Sequence, residues 1–86
     1  MEIKELAKKE IEKVEEIIKD VKLKDNTALE VYNLALSYFA DAKHFFEEGD
    51  FIRAFEAVVI SWAYLDACLH FDFIEVPEKF KGYFTV

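Results

Sequence analysis

The chain has 86 residues, a formal net charge of −7, and a composition that is 53% hydrophobic and 16% aromatic. This length supplies one core, so we expect a single domain over residues 1–86, and so much apolar surface excludes a disordered chain. The acidic balance argues against nucleic acid and anionic membranes as partners. The single cysteine permits no internal disulfide and the first residues show no secretory signal, so the expected location is cytoplasmic.

The first 25 residues predict a helix over about residues 2–21. Pairs of opposite charge four residues apart, such as Glu5 with Lys9, support it. Its apolar residues recur at steps of three and four and so form one narrow stripe: Ile3, Leu6, Ala7, Ile11, Val14, Ile17, Ile18 and Val21. Such a helix contacts the rest of the protein with one face only.

Residues 22–26 are mostly polar and predict a loop, after which a second helix is expected over about residues 28–48. Thr27 precedes Glu30 by three residues, the spacing of a capping box, in which the threonine side chain caps the helix start. The polar residues of this helix form a single stripe: Glu30, Asn33, Ser37, Asp41, His44 and Glu48. Because the remaining circumference is apolar, the second helix is predicted to have neighbours on two sides.

A tight turn is expected between the second and third helices. Gly49 suits the left-handed position that ends a helix, and Asp50 suits the N-cap of the next. The third helix is predicted over about residues 51–71 and has no continuous polar stripe. Three helices of similar length with short connections favour an all-α, up-down three-helix bundle.

The residues after the third helix predict an ordered C-terminal tail. Pro77 blocks helix continuation, and Pro77, Glu78 and Gly82 could frame one further short turn. The tail also carries four large apolar side chains, Phe80, Tyr83, Phe84 and Val86. Leaving four large apolar side chains in water is unfavourable, and the tail is therefore expected to pack back onto the bundle.

A family resemblance covers residues 32–86. The residues that carry it are Tyr38, Asp41-Ala42, Phe45, Gly49-Asp50, Ala54-Phe55, Tyr64-Leu65-Asp66-Ala67 and Phe84-Thr85-Val86. As a set they resemble a family of short archaeal proteins that is catalogued as domain of unknown function 357. The resemblance implies a compact helical bundle in an archaeal cytoplasm, and it implies no activity and no catalytic residue.

Two His-carboxylate pairs have the helical spacing of metal ligands: Asp41 with His44, and Asp66 with His70. In a hairpin that turns at residues 49 and 50, the two pairs lie roughly 16 Å apart along the helix axis. Ligands of one ion must approach it to about 2 Å, so the two pairs cannot share a metal. We therefore predict no metal site, and nothing in the sequence indicates a catalytic or cofactor-binding residue.

Two further side chains have both a structural and a functional interpretation. Cys68 as a nucleophile would need a base on its own face of the helix, and His70 points elsewhere, so a buried thiol is favoured. Asp66 stands among apolar residues. It is predicted to accept a hydrogen bond or to face solvent, and the alternative is an acid in a pocket.

Two functions of different classes follow from these observations. The favoured one is a non-catalytic interaction or scaffolding protein, rather than an enzyme, that forms a homodimer or binds a protein partner through helix three. Helix three carries apolar residues around its whole circumference: Ile52, Val59, Ile60, Ala63 and Leu69. The alternative is a small ligand-binding or enzymatic bundle with a pocket near Asp66.

Overall fold

The computed structural model describes residues 2–84 of the chain. Its three long helices are α1 (Ile3–Asp20), α2 (Leu29–Glu47) and α3 (Phe51–His70). These bounds lie within two residues of the predicted ones, and the predicted all-α three-helix bundle is confirmed. Helix α1 buries Ala7, Ile11, Val14 and Ile17 at steps of four and three, as its sequence stripe requires.

The connection between α1 and α2 corrects the sequence-based prediction. Residues Lys22–Leu23 form a short strand, β1, which pairs antiparallel with β2 (Ile74–Glu75). A 3₁₀ turn over Asn26–Ala28 follows. The predicted capping box is wrong, because Thr27 lies inside this turn. Its backbone amide and its hydroxyl both donate to the Asp25 carboxylate, at 2.9 and 2.7 Å, and α2 starts without a side-chain cap.

The turn between α2 and α3 is confirmed in detail. Gly49 has a φ of +83°. The Asp50 amide donates to the Phe45 carbonyl at 2.9 Å, and the Gly49 amide donates to that of Phe46 at 3.0 Å. This is the Schellman arrangement that ends many helices. The Asp50 carboxylate then accepts from the Arg53 amide at 3.2 Å and so caps α3.

Helix α2 has neighbours on two sides, as predicted, but the central helix is α3, which has the more extensive contact with each of the other two. Helix α1 packs mainly against α3 and has a smaller contact with α2. The reason is size. Helix α2 buries completely only two small residues, Ala35 and Ala42, so it lies close to α3, and the Ser61 hydroxyl donates to the Ala35 carbonyl at 2.6 Å. The larger buried residues of α3, such as Leu65, complete the core beneath α1.

The tail packs against the bundle, as predicted. Phe80 and Phe84 are buried, and a 3₁₀ helix over Glu78–Tyr83 lies between Pro77, at its N-cap, and Phe84. Gly82 lies inside this helix rather than after it, and Tyr83 stays exposed. The predicted anchor Val86 lies outside the described residues. Within residues 2–84, no helix combines the length and apolarity needed to cross a bilayer.

Candidate protein-interaction surface

The predicted pair on α2 lies in solvent. Asp41 and His44 are both exposed, and His44 Nε2 lies 2.9 Å from Glu48 Oε1, one turn along the helix. Such exposed pairs contribute little to stability. Among residues 2–84, no cluster of three or more His, Cys, Asp or Glu side chains could hold a metal ion.

The pair on α3 is local to that helix. Asp66 is half-buried, and its Oδ1 lies 3.8 Å from His70 Nε2. Asp66 is not among the lining residues of the main surface clefts in the described part of the chain. The structure therefore places Asp66 beside His70 and outside these main clefts.

Cys68 lies in the core. Its side chain has no exposed surface, and burial raises the pKa of its thiol. Burial also raises the pKa of the Tyr32 hydroxyl. A thiol needs to ionise and to be reached before it can attack a substrate. The geometry of Cys68 is that of a small buried apolar side chain.

One face of the α2–α3 hairpin carries a shallow apolar groove of about 250 Å³. Its lining residues are Tyr38, Asp41, Phe45, Arg53, Glu56, Ala57 and Ile60. The rings of Tyr38 and Tyr64 stack across the two helices with their centroids 5.8 Å apart. We call this groove, together with Leu34 and Tyr64 beside it, the hairpin face.

Helix α1 and the tail make their contacts with other residues of the hairpin. Lys43 Nζ lies 3.4 Å from Glu15 Oε1 of α1, and the Trp62 ring stacks on Phe84 of the tail with centroids 4.5 Å apart. Trp62 is two residues from Ile60 on α3, about 200° away around the helix. In the part of the chain that the structure describes, α1 and the tail therefore leave the hairpin face open.

Large apolar side chains are exposed on and beside this face. Leu34 and Ile60 each expose 40% of their surface, Val59 exposes 44%, Ile52 63% and Phe71 70%. Of the two other apolar residues of α3 that the sequence predicts to be available for contact, Ala63 is exposed and Leu69 is half-buried. The apolar composition of α3 predicts that this helix takes part in an interaction. The contribution of α2 cannot be predicted in this way, because Leu34 and Tyr38 are separated from α3 by the turn and only the packed hairpin brings them beside it.

Comparison with known proteins agrees with this fold. The family model described as a protein of unknown function, DUF357, matches residues 4–74. The chain belongs to the DUF357 family. The match includes α1, which had not contributed to the resemblance seen in the sequence, and it ends at the start of β2, before the tail.

A solved structure supports the same assignment. The crystal structure of a DUF357 protein from Archaeoglobus fulgidus is 29% identical in sequence and superimposes with a TM-score of 0.72. The aligned region covers 87% of this chain and 93% of that protein. No curated protein matches the chain. The family and the fold are thus shared with an archaeal protein, and neither specifies an activity.

Proposed function

We propose that this DUF357 protein is a non-catalytic interaction protein that forms a two-fold dimer through the hairpin face and the adjoining outer residues of α3. The observation that carries the proposal is the exposure of Leu34, Ile60 and Val59 around an aromatic groove. Monomeric proteins rarely leave a contiguous apolar patch of several hundred Å² in water. A second copy is the simplest cover, because a two-fold axis lets the same patch bind itself.

The size of the surface supports a dimer of modest affinity. A 20-residue helix is about 30 Å long, and two packed helices are roughly 20 Å across, so the face offers about 600 Å² per copy. Stable interfaces bury about 800 Å² per partner, and weak ones less. We therefore expect association that depends on concentration in the micromolar range.

The charges near the groove oppose self-association only weakly. The chain as a whole carries a net charge of −7, which opposes the approach of two copies. The groove itself is lined by two acidic side chains, Asp41 and Glu56, and by one basic side chain, Arg53. Most of the negative charge therefore stays outside the interface when two such faces meet.

The alternative function, a small ligand-binding or enzymatic bundle using Asp66, has less support. Asp66 lies 3.8 Å from His70 on the same helix, and it is not among the lining residues of the main clefts in the described part of the chain. A ligand site needs a concave pocket into which polar groups converge. Asp66 and His70 instead form a local pair on one helix, with Asp66 half-buried and His70 exposed.

The dimer is tested by light scattering coupled to size exclusion. The monomer mass is 10.1 kDa, so we expect a mass near twice that at high micromolar concentration and a decrease on dilution. Ile60→Glu places a charge on the hairpin face and should shift the mass to that of the monomer with an unchanged helical circular dichroism spectrum. Ile3→Glu is the matched control, since Ile3 on α1 is 38% exposed and lies outside the hairpin.

Two results would refute the proposal. One is a mass near 10.1 kDa at every concentration. The other is an equal loss of dimer in Ile60→Glu and Ile3→Glu, because a general effect of added negative charge would then explain both variants.

We also propose that the protein works in an archaeal cytoplasm. A free, fully buried cysteine is consistent with a reducing compartment, and the solved relative comes from an archaeon. Fractionation of the native cells followed by immunoblotting tests this location, and recovery in the membrane pellet would contradict it.

A further inference from the structure

The C-terminal tail is attached to the bundle by side chains rather than by the backbone. In the described part of Glu78–Phe84, the backbone hydrogen bonds are internal to the tail: Phe80 amide to Pro77 carbonyl at 2.9 Å, and Phe84 amide to Lys81 carbonyl at 3.1 Å. The strand pairing before it ends at Glu75, and Pro77 has no amide hydrogen to continue it. The tail can therefore leave the bundle without breaking a ladder.

Aromatic contacts hold the tail in place. Phe84 stacks on Trp62 with ring centroids 4.5 Å apart, and Phe80 is buried. Among residues 2–84, one ion pair joins the tail to α1, between Lys79 and Asp20 at 3.8 Å, and both side chains are substantially exposed, so its contribution is small.

A single cation joins three elements at this point. Lys13 Nζ of α1 lies 4.2 Å from the centroid of the Trp62 ring on α3 and 5.6 Å from that of Tyr83 in the tail. Its remaining partner is Glu10 Oε2, at 2.7 Å, and its side chain is only 22% exposed. An ammonium group between two aromatic rings is attracted to both, more strongly when water is partly excluded.

We propose that Lys13 is a charge-dependent latch that keeps the tail closed over Trp62. Removal of its positive charge increases the fraction of molecules with an open tail while the three helices stay folded, because the apolar contacts of Phe80 and Phe84 remain. Release would uncover Trp62 and present Phe80, Tyr83 and Phe84 as a free aromatic segment. This surface lies away from the hairpin face, so the latch does not depend on the proposed dimer.

The test uses the full chain and its only tryptophan, Trp62. Lys13→Met removes the charge and keeps most of the side-chain length. We expect Trp62 emission to shift to longer wavelength and become more accessible to acrylamide, and the amides of residues 78–84 to exchange about 2- to 30-fold faster, the range set by cation–π strengths. The amides of α2 and of the centre of α3 should exchange at the wild-type rate.

Three control variants isolate the proposed contact. Lys13→Arg keeps the charge and should keep the tail closed. Glu10→Gln removes the ion pair of Lys13 but leaves both ring contacts, so it should also stay closed. Lys4→Met removes a comparable contact, 5.4 Å from the Phe51 ring and remote from the tail, and should leave Trp62 emission unchanged.

Three results would overturn the latch. The first is wild-type exchange of residues 78–84 in Lys13→Met. The second is an equal rise in exchange over all three helices, which would show a general loss of stability instead of local release. The third is release in Glu10→Gln as large as in Lys13→Met, which would assign the effect to the ion pair.

Discussion

Helices α2 and α3 end with the same backbone geometry but with different residues. At the end of α2, Gly49 takes the left-handed conformation with a φ of +83°, and at the end of α3, Asp72 takes it with a φ of +61°. After α3, the Phe73 amide donates to the Cys68 carbonyl at 2.8 Å and the Asp72 amide to that of Leu69 at 3.0 Å. These are the two bonds of the Schellman motif, as at Gly49.

The difference between these helix ends lies in what supports the left-handed residue. Gly49 has no Cβ and takes positive φ without strain. Asp72 has a Cβ, which costs about 1–2 kcal/mol in this conformation, and distant residues support it. Lys24 Nζ lies 2.7 Å from the Asp72 carboxylate, and the Lys24 amide donates to the Phe73 carbonyl at 2.8 Å. A helix end without glycine thus depends on tertiary contacts.

The largest expected effect is at Gly49. Gly49→Val puts a branched side chain at positive φ and should lower the free energy of unfolding by at least about 1 kcal/mol. Gly82→Val is the matched control, because the backbone of Gly82 is not at positive φ and no atom lies within 4 Å of the added Cβ. Urea denaturation of both variants measures the difference, and equal midpoints would contradict it.

A smaller effect is expected at Asp72. Asp72→Gly and Asp72→Ala both remove the carboxylate, and they differ only in whether a Cβ remains at positive φ. The glycine variant should be more stable than the alanine variant by about 1 kcal/mol. Thermal unfolding of the pair measures this difference. An alanine variant that is equally stable would mean that the end of α3 relaxes out of the left-handed conformation.

The smallest effect is expected at Lys24. A hydrogen bond with the Asp72 side chain raises the pKa of the Lys24 amine above 10.5. A raised pKa means that this stabilisation is present below the unfolded-state pKa and is lost as the pH rises through the folded one. Lys24→Met should therefore be slightly less stable than the wild type at pH 7, and the two should converge as the pH rises through the folded-state pKa of Lys24 or in high salt. A gap in stability that persists in high salt would exclude the ion pair as its cause.

Much of the local structure could be predicted from single residues and their spacing. The apolar steps of α1 and the Gly49-Asp50 turn are examples, and each depends on neighbours a few residues away. The predicted capping box at Thr27 fails because Asp25, two residues earlier, binds the threonine hydroxyl at 2.7 Å. Two local hydrogen-bonding patterns are possible at Thr27: the capping box with Glu30, which the spacing predicts, and the bond to Asp25, which forms.

The candidate surface could be predicted only in part. The apolar composition of α3 indicated an interaction helix, and Ile52, Val59 and Ile60 are exposed as that hypothesis requires. The groove also needs Tyr38 and Phe45 of α2, and the position of α1 decides which face remains open. Neither could be predicted from one helix, because the apolar circumference of α3 is compatible with α1 on either side.

By itself, the sequence determined three amphipathic or apolar helices, the glycine turn, a tail too apolar to stay in water, and the family to which the chain belongs. These features follow from periodicity, backbone conformational preference and composition, which act over a few residues. Only the tertiary structure decided that α3 is central, that Leu23 pairs with Ile74, and that Lys13 lies between Trp62 and Tyr83. Those contacts join residues distant in the chain, and they depend on the packing of whole side chains, to which no local pattern is sensitive.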